Sequence, residues 1–239
     1  CSTATGSYDD IEAIAGFCER HNLWLHVDGA HGMGVLFSDK YRHLIKGIER
    51  ADSVVIDLHK MLLVPGLNTM VLFRNGRHSY ETFAQKASYL FEKQTTNEWY
   101  NSAKRTLECT KSSLGIIAFT AFKYFDRNFY CNYIEGRYDL AARFARQIAT
   151  TRRFQLLTQP ESNIVCFRYN PGDINETELN RLNARLRESI IREGTFYIVQ
   201  TEIKGALWLR VTIINPLTSD EDMERLLIQI EKKAAEESC

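Results

Sequence analysis

Two residues stand out by chemistry and by position. Asp28 ends the apolar run Leu23-Trp24-Leu25-His26-Val27, and Lys60 follows the run Ser53-Val54-Val55-Ile56-Asp57 after Leu58 and His59. Both runs have the length and composition of strands. In open α/β sheets, ligands gather at the carboxyl ends of strands. A carboxylate and an amine delivered there are what a pyridoxal phosphate (PLP) enzyme needs. The amine forms a Schiff base with the aldehyde, and the carboxylate keeps a proton on the pyridine nitrogen. Taken singly, each feature is ordinary, since an aspartate ending a strand usually serves a turn or cap, and a His-Lys pair usually lies on the surface. The joint pattern, with enough chain between for a helical crossover, is more specific.

The elements that must hold these residues follow from periodicity. Apolar Ile11, Ile14, Ala15, Phe17 and Cys18 have helical spacing over Asp9 to His21, with Asp9 or Asp10 as N-cap. Leu23 to Asp28 and Ser53 to Asp57 read as strands, Tyr41 to Arg50 as a short helix, and Thr69 to Arg74 as a third strand ended by Asn75-Gly76. Strands alternating with helices favour a mostly parallel sheet with helices on its faces. Thr69 to Arg74 fits an antiparallel member of such a mixed sheet. Lys86 to Lys111 loses all periodicity and reads as a long loop, a class of segment that often serves as a lid.

Beyond it, Ser113 to Asp126 reads as an apolar helix buried on most sides, and Tyr133 to Arg152 as an amphipathic helix with a basic outer face. A second αβ pattern then begins. Its strands are Phe154 to Leu157, Asn163 to Tyr169 and Ala206 to Ile214. Its helices are Glu176 to Arg192 and Ser219 to Glu236, the latter opened by Thr218 or Ser219 and acidic residues. This is the pattern of a small α+β domain, with the boundary near residues 110 to 130.

Composition narrows the class of partner. Thirty basic residues balance thirty acidic ones, so nothing suggests a nucleic-acid or anionic-membrane surface. No apolar run approaches the roughly 18 residues of a membrane span, and no signal-peptide pattern is present. The six cysteines, at 1, 18, 109, 131, 166 and 239, form no CxxC pair and no metal spacing, which reads as reduced thiols of a cytoplasmic protein and no metal site. The chain opens on Cys1-Ser2-Thr3, already close to the first motif, and reads as a piece of something longer.

One ordered set of motifs is more telling: Ser2-Thr3 with Gly6 and Asp9; Trp24-Leu25-His26-Val27-Asp28-Gly29-Ala30; Gly47-Ile48-Glu49-Arg50-Ala51-Asp52-Ser53; His59-Lys60; Ala87-Ser88-Tyr89-Leu90-Phe91; Leu209-Arg210-Val211 with Asn215-Pro216. From Ser2 to about Lys232 the chain resembles the C-terminal half of a group II PLP-dependent amino-acid decarboxylase. That family comprises the glutamate, cysteine-sulfinate, diaminobutyrate and aromatic-amino-acid decarboxylases. The resemblance implies an α/β fold, that of the PLP-dependent transferases (aminotransferase fold type I). Residues 1–115 would be the C-terminal part of the PLP-binding large domain with its mixed, largely parallel sheet, and residues 116–239 a small C-terminal α+β domain.

It further implies Lys60 as the Schiff-base lysine, Asp28 as the partner of the ring nitrogen, Ala30 packed on the ring and Thr3 near the cofactor. His59 would touch the phosphate or relay a proton. Arg210 would hold a substrate carboxylate, a role that its planar fork suits; its plain reading is a structural ion pair. Departures from the family pattern fall on three residues. Asp57 stands where many relatives have an asparagine that contacts the phosphate, and must turn away or pair with a cation. Tyr100 is the candidate proton donor in the loop, in a stretch one residue shorter than usual. His31 replaces an aromatic residue and lines the substrate pocket or sits near it.

The implied activity is decarboxylation of an L-amino acid by a homodimer, with an acidic substrate (glutamate, aspartate or cysteine sulfinate) favoured by Arg210. A diaminobutyrate or aromatic substrate is the alternative. Asp28 and Lys60 would equally serve transamination, aldol-type cleavage or decarboxylation-dependent oxidation. A non-enzymatic alternative is a truncated remnant that dimerises with and regulates an active homologue. The chain has no glycine-rich phosphate loop of its own, so part of the site is expected to lie outside it.

Overall fold

Helix α1 (Ile11–Arg20) begins where the Asp10 carboxylate accepts a hydrogen bond from the Ala13 N–H at 3.0 Å, and buries Ile11 and Ala15. The structure is a computed structural model that describes residues 1–83, 100–108 and 110–237. These fall into two compact units: Asp10–Met33 with Ile45–Asp126, and Cys1–Asp9 with Gly34–Leu44 and Arg127–Cys239. Most of the expected long loop, and the motif Ala87–Phe91, lie outside the described residues.

In the first unit, β1 (His26–Asp28), β2 (Ser53–Asp57) and β3 (Thr69–Phe73) form a sheet in that order. β1 and β2 are parallel, with His26 beside Ser53 and Asp28 beside Val55; β2 and β3 are antiparallel, with Asp57 beside Thr69. α1 packs on the sheet through Ala15, Leu25 and Ala51, with Cys18, Val27 and Val54 around them. β1 is shorter than the expected Leu23 to Asp28. The Leu23 N–H closes the end of α1 on the Cys18 carbonyl, and the Leu25 N–H is taken by the Asp52 side chain, both at 2.9 Å. The expected helix over Tyr41 to Arg50 is two single 3₁₀ turns, Arg42–Ile45 and Ile48–Arg50. Gly47 separates them with φ +88°, and a Cβ there would fall 2.8 Å from the Glu12 Cα.

After α2 (Arg77–Thr82), a short helix not foreseen from the sequence, comes α3 (Leu114–Tyr124). α3 buries only Ala118, while Ile116 is 68 % and Phe119 63 % exposed, so the expectation of a helix buried on most sides is corrected. Its apolar residues run around the whole circumference, and a single contact face cannot cover them.

The second unit contains α4 (Arg127–Thr150), β4 (Phe154–Leu156), β5 (Ile164–Tyr169), α5 (Glu176–Glu193), β6 (Val199–Ile203), β7 (Ala206–Thr212) and α6 (Asp220–Glu237). Its sheet is antiparallel throughout, in the order β4-β5-β7-β6. One face carries Val165, Phe167, Leu209 and Val211 against Phe144 and Ile148 of α4, Leu186 and Ile190 of α5, and Leu226 and Ile230 of α6. Inside this core Asn183 is satisfied completely, bonding the Tyr169 N–H and the carbonyls of Tyr169 and Leu179, each at 2.9 Å. The opposite face carries Ile164, Cys166 and Trp208. The sequence reading lacked β6, which joins β7 through Lys204 and Gly205, both at positive φ, in a two-residue hairpin turn of the primed kind. α4 starts six residues earlier than expected, and two of its arginines are paired, Arg127 with Asp39 and Arg143 with Asp220.

Candidate active site

Parallel pairing of β1 and β2 sends both strands toward the same sheet edge. The pairing continues past the end of β1: the Gly29 N–H donates to the Val55 carbonyl at 3.0 Å, and the Asp57 N–H to the Ala30 carbonyl at 3.2 Å. Asp28 therefore leaves the sheet beside the strand that leads into Asp57, His59 and Lys60. Gly29 permits this approach, because a Cβ there would lie 2.9 Å from the Val55 carbonyl oxygen and 2.8 Å from the Met33 Cε. The resemblance packs Ala30 on the ring; at its neighbour Gly29, the space that a side chain would need is taken up by the neighbouring strand and Met33.

The Asp28 carboxylate is exposed. Its Oδ1 accepts the Ala30 N–H at 3.0 Å, and its other oxygen has no partner among the described residues. Lys60 closes a turn on Asp57, N–H to carbonyl at 3.3 Å, and its Nζ lies 2.7 Å from Asp57 Oδ2. The lysine thus faces a carboxylate. Asp57 also accepts the Thr69 hydroxyl, its register partner on β3, and stands 3.8 Å from His59 Nε2. Burial pushes the Asp57 carboxyl up, but the bonds from Lys60 and Thr69 outweigh it and hold the group below the usual carboxylate range.

His59 is fixed from its other side. Its Nδ1 lies 3.0 Å from the Asn68 carbonyl and 3.2 Å from the Asn68 N–H, and the buried Asn68 side chain donates to the Leu114 carbonyl at 2.8 Å. The sequence reading gave Asn68 and Thr69 no place in the site; only the pairing of β2 with β3, not visible in residue types, connects them to His59 and Asp57.

Lys60, His59, Asp57, Asp28, Ala30 and His31 all lie in the first unit. His31 follows Ala30 at the entry to the 3₁₀ helix Gly32–Phe37. Tyr100 belongs to the same unit and is 70 % exposed. Thr3 and Arg210 belong to the second unit, where Thr3 is exposed in the Ser2–Ser7 turn. Arg210 is partly buried on β7, its Nε is buried without a hydrogen-bond partner, and no carboxylate faces it among the described residues. Burial lowers its pKa, against a small opposing effect of Cys166.

An amine and an open carboxylate thus lie at the same ends of the two parallel strands, the pair of groups that the sequence reading linked to PLP. The comparisons with known proteins agree with that link. Residues 1–170 match the pyridoxal-dependent decarboxylase conserved domain, and the chain belongs to that family. It is 28 % identical to the aromatic-L-amino-acid decarboxylase of Bacillus atrophaeus, over 99 % of this chain and 50 % of that protein. It is 31 % identical to the acidic amino acid decarboxylase of Homo sapiens, over 96 % of this chain and 46 % of that protein. The crystal structure of mouse CSAD superposes with a TM-score of 0.86 at 26 % identity, covering 96 % of this chain and 50 % of that one. The chain spans about half the length of the curated relatives it matches.

Proposed function

We propose that the whole protein is a PLP-dependent decarboxylase of a small acidic L-amino acid. The observation that carries this is the parallel register that sets Asp28 and the Asp57–Lys60 turn at one sheet edge. PLP, when bound, supplies the electron sink that lets the carboxylate carbon leave as CO2. The residues present fit it: Lys60 would hold it through its amine, Asp28 would hold the ring-nitrogen proton with its open oxygen, and Ala30 would pack beside it. Asp57, kept ionised and saturated by Lys60 and Thr69, holds the Lys60 side chain in the turn until the pair opens. His59, pinned by Asn68, keeps Nε2 available for a proton relay or a phosphate contact. Thr3, His31 and Tyr100 enter this reading as a cofactor neighbour, a pocket residue and the proton donor.

The uncompensated guanidinium of Arg210 supports an acidic substrate, because a partly buried cation without an anion is costly and a distal carboxylate would relieve it. Residues 1–115 are assigned to the cofactor-binding domain and 116–239 to the small domain. The assembly is proposed as a cytoplasmic homodimer. Support for it comes from the exposed apolar side chains of α3, which call for a covering surface. Among the described residues no helix is long and apolar enough to cross a membrane. The test is CO2 release by full-length protein from aspartate, glutamate and cysteine sulfinate, with Lys60→Ala as the control. Aldehyde formation without CO2 would exclude decarboxylation.

A further inference from the structure

On the sheet face away from the helices, Arg210 of β7 stands directly opposite Cys166 of β5 and Val199 of β6. Opposed cross-strand residues share a face, with Cβ atoms about 4.5–5.5 Å apart. The Arg210 stem therefore rises between a thiol and an isopropyl group. Cys166 is buried, and its Sγ donates to the Ala4 carbonyl at 3.3 Å. Burial pushes this thiol up to about 11, against the lowering pull of the Arg210 charge, so at neutral pH it is a proton donor and not a counter-ion.

The turn presenting Ala4 is held independently. Gly6 N–H donates to the Ser2 carbonyl and Ser2 N–H to the Ser7 carbonyl, both at 2.8 Å. Gly6 has φ +77°, and a Cβ on it would fall 2.2 Å from Ser162 Oγ and 2.8 Å from Ile164 Cβ. Ile164 precedes Cys166 by two residues and so shares its face. The other arginine on this face is already engaged: Arg168 bonds Gln155 and Glu176 and stacks on Trp208 at 4.4 Å. Of these two arginines, Arg210 alone has no partner for its charge among the described residues.

We propose that Cys166 is a positioning residue for Arg210: tethered to Ala4, it closes the β5 side of the arginine's range, sets how far the guanidinium reaches, and so sets which length of acidic side chain the protein prefers. This rests on the reading of Arg210 as the carboxylate-binding residue. Arg210 contacts the substrate; Cys166 acts through it.

The test uses full-length protein, titrated calorimetrically with succinate and glutarate, two dicarboxylates that differ by one methylene and lack the reacting amine. Turnover of aspartate and glutamate is measured alongside. Cys166→Ala is expected to weaken the preferred dicarboxylate, and to raise KM for the matching amino acid, by about three- to tenfold, the effect of one neutral hydrogen bond. kcat is expected to change less than KM, and the preference between the two lengths to narrow. Cys166→Val, which fills the space with a somewhat larger apolar group that cannot donate, should behave in the same way, and Cys166→Ser should restore binding to within about twofold, as a retained donor of similar size implies. In an Arg210→Met background, Cys166→Ala should have no further effect on binding. Unchanged binding in both Cys166→Ala and Cys166→Val, or equal weakening with and without Arg210, overturns the role of Cys166 and leaves the acidic-substrate reading intact. Wild-type protein that binds neither dicarboxylate and releases no CO2 from acidic amino acids overturns both.

Discussion

Replacing Arg210 with methionine separates a ligand-binding arginine from a structural one, because the two roles predict opposite effects on affinity and stability. Among the described residues Arg210 has no ion pair, its Nε is buried without a partner, and burial lowers its pKa. Folding therefore spends free energy to desolvate a cation and recovers none of it within the described chain. Methionine keeps the length of the apolar stem, so its packing between Cys166 and Val199 is largely preserved. Stability of the ligand-free protein should be unchanged or higher by about 1 kcal/mol, since replacing a poorly compensated buried charge by an apolar group is neutral or favourable. For a chain of this size that corresponds to a Tm rise of about 2–4 °C. Substrate binding should move the other way. A charge-assisted, two-pronged bond to carboxylate contributes about 1.5–3 kcal/mol, or roughly a 10- to 100-fold rise in KM for the acidic substrate. Lysine should recover little, lacking the fork. The measurements are CO2 release over a range of substrate concentrations and thermal unfolding without ligand. A KM within twofold of wild type together with a Tm several degrees lower would show that Arg210 is a structural residue and that its isolation among the described residues had been misread.

Lys60→Ala should abolish both CO2 release and the visible absorbance of lysine-bound PLP, with Tm within about 2 °C of wild type, because a partly exposed ion pair contributes only about 0–1 kcal/mol. Asp57 has a folded pKa below its unfolded value, so its stabilisation is present above the unfolded value of about 3.9 and is lost as pH falls through the folded one. Asp57→Asn should therefore flatten the fall in stability below about pH 4, as read from urea midpoints at a series of pH values. A Gly29→Ala chain must place a Cβ 2.9 Å from the Val55 carbonyl oxygen, which should cost about 1–3 kcal/mol in urea unfolding and weaken PLP binding by displacing Asp28.

Where residue type alone decides structure, the sequence was readable. The Asp10 cap, the apolar periodicity of α1, α5 and α6, and the apolar runs of β2, β3 and β5 are local signals, and the elements formed there. The readings that failed depended on longer-range contacts. Gly47 breaks the expected helix over Tyr41 to Arg50 because α1 comes too near for a Cβ, which no local pattern records. β6 was absent because its turn, Lys204-Gly205, lacks the usual Asn or Asp. The site divides in the same way. The places of Asp28 and Lys60 at the ends of their strands were legible, and Arg210 was proposed from its resemblance to a family motif. Asn68, Thr69 and Cys166 were not, because each acquires its place through strand register.

What distinguishes the candidate functional groups is the satisfaction of their bonding capacity, more than their identity. Two carboxylates flank the turn at the end of β2. Asp57 is saturated by Thr69 and Lys60, whereas Asp28, one strand away, has a single backbone bond and an open oxygen. Two arginines leave one face of the second sheet. Arg168 is bonded to Gln155 and Glu176 and stacked on Trp208, while Arg210 has no such partner among the described residues. Folded proteins satisfy nearly all their buried polar groups, so the exceptions require a cause. The saturated member of each pair has a sufficient cause in the fold itself: Asp57 fixes the lysine turn and Arg168 fixes Trp208. Arg210 has no such cause among the described residues, whereas the open oxygen of Asp28 is exposed to solvent, and both sit where the family's motifs place ligand contacts. The burial criterion thus singles out Arg210 as a candidate ligand contact, while Asp28 rests on its place at the strand end and on the resemblance.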